Sequence, residues 1–266
     1  MWLTVQHVTG FSYDGPITEA YTELRLKPAH RDGQRCSSFS LVPEPRGVTL
    51  DEYVDRFGNT VHHFDVLEAH ERLTVTARSE VWTAPRYVDT SAPSPLDRWD
   101  FLTPSRYVQL DGQLTELAAS TNGSADAAEV AGRLMDAVRS AMSYERGTTH
   151  VHTTAAEALA EGRGVCQDFS HVMLGACRAR GIPARYVSGY LYDPEHGELG
   201  ESHAWVDVHV GDAGWLSLDP THDTEQTEHY VRVGVGRDYA DVSPSRGVYK
   251  GTATEALEVA VTIREP

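Results

Sequence analysis

The chain has 266 residues, 40% of them hydrophobic and 23% charged, a composition of folded globular proteins that excludes a disordered or fibrous chain. Its 23 Lys and Arg against 39 Asp and Glu give a formal net charge of −16, a field that repels a phosphate backbone, so no nucleic-acid partner is expected. The opening MWLTVQHVTGFSYDG has no basic start and no apolar run of signal-peptide length, and nothing later reaches the ~18 apolar residues of a membrane span; a cytoplasmic protein without a membrane partner is expected.

From Met1 to about Trp82, short runs such as LTVQHV, YTELRL, SSFSLV and RLTVTARSEVW alternate apolar and polar residues. Breaks fall at Asp14-Gly15, Pro43 to Pro45 and Gly58-Asn59. Period-two patterning of this kind describes half-buried strands, and an antiparallel β domain is predicted. The stretch APRYVDTSAPSPLDRW carries Pro85, Pro93 and Pro95 and reads as a linker without helix. It divides the chain into an N-terminal β domain over 1–95 and a second domain over 96–266.

Beyond the boundary, the segment from Ala125 to Ala141 places Ala128, Val130, Ala131, Leu134, Met135 and Val138 on one helix face. A second helix begins at Cys166, after GRGV, and ends at a Gly181 cap before Pro183. Three strand-like runs follow, ARYVSGYLY, SHAWVDVHV and GWLSLDP, joined by a loop with Pro194 and Gly197 and by a Gly211 to Gly214 turn.

The cysteines, Cys36, Cys166 and Cys177, are odd in number and scattered, which fits neither a disulfide framework nor a paired zinc spacing and leaves at least one free thiol. At a helix N-terminus, unpaired N–H groups and the dipole stabilise a thiolate, and Gly162 and Gly164 leave room for a substrate chain to approach. His203 opens one strand-like run and Asp219 closes the next, so adjacent strands present both at one rim. Cys, His and Asp in that arrangement suit a nucleophile, its base and the carboxylate that orients the base. Each residue also has an ordinary structural role available: a core cysteine, a satisfied strand histidine and a turn former before Pro220.

Taken together, GRGVCQDFSH, RARGIPARYVSGYL, SHAWVDV and SLDPTH resemble the core of the transglutaminase-like superfamily, particularly its bacterial members. FSYDGP, LRLKP and DRFGN resemble the β-rich region that precedes that core in bacteria. The resemblance implies an α+β fold in which a papain-like core, a central helix packed on an antiparallel sheet, follows an antiparallel β domain. It implies Cys166 as nucleophile, His203 and Asp219 on the sheet, an oxyanion hole at the Cys166 N–H, and Tyr144 as a second donor. No cofactor is implied. The chain lacks an EF-hand-type acidic loop, so the calcium-dependent cross-linking of animal transglutaminases does not carry over.

Several further residues have weaker signals. Asp168 and His171 lie three apart on the Cys166 helix; Asp168 is a candidate support, and a structural role is expected for His171. Trp205 follows His203 by two and faces the same side of its strand, where it shields the imidazole or packs in the core. The polar segment from Asp193 to Ser202 reads as a loop beside the site. The histidines at 62, 63, 150 and 152 lack ligand spacing, and no metal is assigned to them.

The expected function is cysteine-nucleophile acyl transfer on peptide or isopeptide amide bonds through a thioester, with hydrolysis as the outcome and a peptide or protein as substrate. The alternatives are transfer to an amine, a noncatalytic peptide-binding module, and a zinc site made by Cys166, His203 and Asp219. Oligomeric state is not legible.

Overall fold

The computed structural model describes every residue except 32, 88, 122–125 and 196–198, and describes only the backbone of 199 and 201. The front of the chain forms β1 (Trp2–Ile17), β2 (Glu19–Leu24), β3 (Gln34–Glu44), β4 (Asp51–Val54), β5 (Thr60–Val66) and β6 (His70–Thr83). Alternation governs them: Leu3, Val5, His7 and Thr9 of β1 are buried while their neighbours are not. Register brings Leu3 opposite Val81 and Phe11 opposite Leu73.

The middle of the chain is helical, with α1 (Pro95–Asp100), α2 (Gly112–Ala119) and α3 (Ala127–Ala141). The bridge β7 (Ser143–Tyr144), α4 (Ala155–Glu161) and the bridge β8 (Arg163–Gly164) then lead into α5 (Cys166–Ala179). After it come β9 (Ala184–Leu191), β10 (Leu199–His209), β11 (Trp215–Asp219), β12 (Thr224–Glu225), β13 (Tyr230–Gly236), α6 (Tyr239–Val242), β14 (Ser245–Lys250) and β15 (Glu255–Arg264). The architecture is α+β with antiparallel sheets, and α5 packs on β9 and β10 as its central helix.

One nine-stranded sheet runs β12-β11-β10-β15-β1-β6-β3, with β9 against β10 and β13 against β9. The last strands return to the front of the chain, β14 pairing with β2 and β15 with β1. The division predicted at residue 95 therefore leaves two strands on the second segment whose hydrogen-bond partners belong to the first. A shared cluster of Leu3, Val5, Val81, Tyr190, Val231 and Ile263 seals that seam.

The expected helix-free linker is corrected at its end. Pro95 is a favourable first helical residue because its missing N–H would be unpaired there anyway, and Ser94 caps α1 by accepting Asp97 N–H at 3.1 Å. Upstream, Tyr87 is buried and Asp89 accepts Arg185 Nη2 at 2.9 Å, so this stretch is packed against the sheet. The predicted loop from Asp193 to Ser202 is also shorter than expected. Its end, from Leu199, is already β10, and 196–198 lie outside the described residues.

α3 buries Val130, Ala131, Leu134 and Val138, while Ala128 and Met135 of the predicted face are half-buried. α5 is buried along almost its whole length, with α2, α3 and α4 against it as well as the sheet. Gly175 lets α2 come close, since a Cβ there would lie 2.9 Å from Leu114 Cδ1. The helix ends as predicted at Gly181, whose φ of 69° is the left-handed conformation that glycine adopts without strain.

Candidate active site

Cys166 is the first residue of α5 and is partly exposed. The preceding Val165 has no side chain able to cap the helix, so Asp168, three residues in, reaches back and accepts Val165 N–H at 2.8 Å. The same carboxylate oxygen accepts Thr149 Oγ1 at 2.7 Å. Gly164 is required by this contact, because a Cβ there would stand 2.5 Å from Asp168 Oδ2. The space predicted for substrate is occupied here by the cap. Burial pushes the Asp168 carboxyl up, and its hydrogen bonds only partly offset that.

His203 sits on β10 opposite Gly189, and Asp219 ends β11. Both side chains are buried, and His203 Nε2 lies 2.7 Å from Asp219 Oδ2. Cys166 is near enough to the same imidazole to be among the groups that raise its pKa. With Nε2 committed to the carboxylate, Nδ1 is left for the sulfur. Burial by itself would lower the His203 pKa, but hydrogen bonds and charge from Asp219 and Cys166 outweigh it and raise the pKa to about 10.

Asp219 is held by more groups than the sequence suggested. Its Oδ2 also accepts His222 Nδ1 at 2.9 Å and the Tyr230 hydroxyl at 2.7 Å, while Oδ1 accepts the N–H groups of Thr221 at 2.8 Å and His222 at 3.3 Å. Burial pushes this carboxyl up, yet hydrogen bonds from His203 and His222 and the imidazole charge hold it far below the usual carboxylate range. His222 follows Asp219 by three inside the SLDPTH segment, a turn closed by Asp223 at φ 59°, and that spacing was the available signal. Tyr230 comes from β13 and had none.

Trp205 is fully buried, its ring stacked on His203 with centroids 6.1 Å apart and planes 21° apart. Its Nε1 donates to Ser217 Oγ at 3.0 Å and to Gln226 Oε1 at 3.2 Å. Deeper on the same face, Arg232 makes paired hydrogen bonds to Asp207 at 2.6 and 2.8 Å, and Arg185 Nε adds another at 2.8 Å. Burial opposes ionisation of Asp207, but the two guanidinium groups hold its carboxyl well below the usual range.

The other predicted residues go elsewhere. Tyr144 pairs with Gly164 through the backbone, is 46% exposed, and its hydroxyl accepts Arg146 Nε at 3.4 Å. His171 is buried, stacked on Tyr107, and accepts Tyr239 N–H at 3.2 Å; burial lowers its pKa to about 3, which suits the structural role expected of it. His62 pairs with Glu52, His63 with Asp65, and His152 with the Tyr107 hydroxyl. Among the described residues, the metal-type donors that crowd within 4.8 Å of one another are those of His203, Asp219 and His222, a set that does not include Cys166.

Comparison with known proteins adds the following. Residues 115–220 match the Transglutaminase-like superfamily, and residues 3–82 match the Bacterial transglutaminase-like N-terminal region. An uncharacterized protein of Mycobacterium leprae is 36% identical over 283 residues, covering 99% of each chain. A protein-glutamine gamma-glutamyltransferase of Pseudomonas aeruginosa is 34% identical over 104 residues, which is 33% of this chain and 15% of that protein. A crystal structure from Cytophaga hutchinsonii, provisionally named a cysteine protease, superposes with a TM-score of 0.80 at 23% identity over 100% of this chain and 91% of that one.

Proposed function

Because the chain belongs to the transglutaminase-like superfamily, we propose that it is a cysteine-nucleophile enzyme that hydrolyses peptide or isopeptide amide bonds through a thioester. The observation that carries this reading is the buried His203–Asp219 pair at 2.7 Å, placed against Cys166 at the start of α5.

In the proposed cycle the Cys166 sulfur attacks the amide carbonyl. The oxyanion is met by the Cys166 N–H, one of the first-turn donors that have no intrahelical acceptor. His203, charged through neutral pH, gives its proton to the amide nitrogen as the carbon–nitrogen bond breaks, and the amine leaves. A thioester remains, with His203 neutral. Water then enters, His203 takes one of its protons, the hydroxide adds to the thioester, and the carbon–sulfur bond breaks to regenerate thiolate and imidazolium. Asp219 keeps Nε2 protonated and the ring aligned throughout.

A second reading, in which a primary amine replaces water, draws support from the name of the Pseudomonas aeruginosa relative, whose match covers 33% of this chain. Product analysis separates the two: incubation with a peptide substrate and an alkylamine yields free acid for a hydrolase and an alkylamide for a transferase. The nucleophile is tested by trapping the acyl-enzyme from a mixed peptide library and locating the adduct by mass. The adduct is expected on Cys166 and absent from Cys166→Ala; an adduct surviving in that variant overturns the proposal.

A further inference from the structure

We propose that His203, Asp219 and His222 form a binding site for a divalent transition-metal ion of the zinc type, and that the ion, once bound, blocks the site. The argument starts from direction. His203 Nε2 at 2.7 Å and His222 Nδ1 at 2.9 Å both point at a single oxygen, Asp219 Oδ2. Their rings meet edge to face with centroids 5.0 Å apart, and the three donor atoms lie within 4.8 Å of one another.

Two imidazoles and one carboxylate are a ligand set that zinc accepts with an open fourth position. Bonds of the usual length around a tetrahedral ion set donor atoms about 3.3 Å apart. The two nitrogens therefore have to stand farther from the oxygen by roughly half an ångström: a small shift of the Asp219 carboxylate supplies this for His203 Nε2, and rotation of the His222 ring supplies it for Nδ1. That ring is free to move, because its side chain is 49% exposed, whereas His203 and Asp219 are buried. The exposed side also gives the ion an entry path and a place for a bound water.

Outer contacts that orient the carboxylate are already present: the Tyr230 hydroxyl on Oδ2 and the Thr221 N–H on Oδ1. Cys166 lies outside this set of donors, so the site differs from one that includes sulfur. A metal on Nε2 replaces the proton that His203 keeps there and takes the carboxylate oxygen that orients the ring. The imidazole then no longer cycles between its charged and neutral forms.

The test needs no turnover and so stands apart from the proposed reaction. Zinc chloride is titrated into the metal-free full chain by calorimetry, with magnesium chloride as the contrasting ion. One zinc per chain is expected, with affinity reduced about tenfold or more in His222→Ala, little change in Cys166→Ala, and no magnesium binding. His222→Cys guards against a folding artefact. It is expected to retain the ion and, loaded with cobalt, to acquire a sulfur-to-metal absorption band that the wild type lacks. Absence of zinc binding, equal affinity in His222→Ala, loss of affinity in Cys166→Ala, or equal binding of magnesium overturns the proposal.

Discussion

The two sides of the candidate active site are built in opposite ways. Cys166 is placed by short-range contacts: a bridge at Gly164, a cap from Asp168 three residues away, and Thr149 on the same carboxylate. His203 is placed by groups gathered from three strands and a turn, with Asp219, His222, Tyr230 and Trp205 around it and a buried Arg232–Asp207 pair behind Trp205. The difference is one of energy scale. A local cap contributes on the order of 1 kcal/mol, while breaking a buried ion pair costs about 3–5 kcal/mol. The histidine side is therefore where substitutions are expected to act hardest.

The largest effect is expected from Asp219→Asn, which keeps the shape but removes the charge that His203 and His222 face. Turnover is expected to fall about 10⁴-fold, as when the orienting carboxylate of a comparable triad is neutralised. In the wild type, the rate is expected to fall as pH rises through about 10, where His203 loses its proton. Because the folded pKa lies above the ordinary 6.5, the stability contributed by the His203 interaction is complete below that value and is lost as pH rises through about 10. For Asp219, whose folded pKa is depressed, the contribution is present above 3.8 and is lost as pH falls. In Asp219→Asn the alkaline limb of the rate profile moves down in pH. A limb that stays in place would detach the carboxylate from the base and dissolve the contrast between the two sides.

Next in size is Arg232→Met, read by thermal or denaturant unfolding. Arg232 and Asp207 are fully buried, and the guanidinium also bonds Ser217 and Gln226, the two partners of Trp205 Nε1. Removing it leaves Asp207 with Arg185 and the Ser217 hydroxyl, one cation in place of two, and a loss of about 3 kcal/mol is expected. Replacing Arg232 and Asp207 together by apolar residues should recover part of that loss, since the buried carboxylate is then gone and Arg185 keeps its pair with Asp89 at 2.9 Å. A loss no larger than that of a surface substitution, about 0.5 kcal/mol, would place the histidine side on the same energy scale as the cap.

The same contrast explains how much of the molecule was legible in the sequence. Cys166, the helix behind it and its Gly181 end are local patterns, and they were read directly; the strands bearing His203 and Asp219 came from alternation and short turns. Tyr230 and Arg232 were missed because β13, YVRVGVG, is buried on both faces and carries no alternation. Its partner β9 lies some forty residues earlier, a pairing that no local window contains. The return of β15 to β1 and of β14 to β2 escaped for the same reason. Pro95 misled differently, since a residue that breaks a helix interior starts a helix well.

The smallest effect is expected on the cysteine side, and it separates two roles of one residue. Asp168→Ala removes the acceptor for Val165 N–H and for Thr149, with an expected loss of about 1–2 kcal/mol in unfolding measurements. Asp168→Asn keeps an amide oxygen able to accept the Val165 N–H while removing the charge. Burial already pushes the Asp168 carboxyl upward, so its ionised form draws little benefit from the site, and the asparagine variant should retain most of the stability. Equal losses in the two variants would mean that the charge, and not the hydrogen-bond acceptor, holds the start of α5. The cysteine side would then depend on buried electrostatics as the histidine side does.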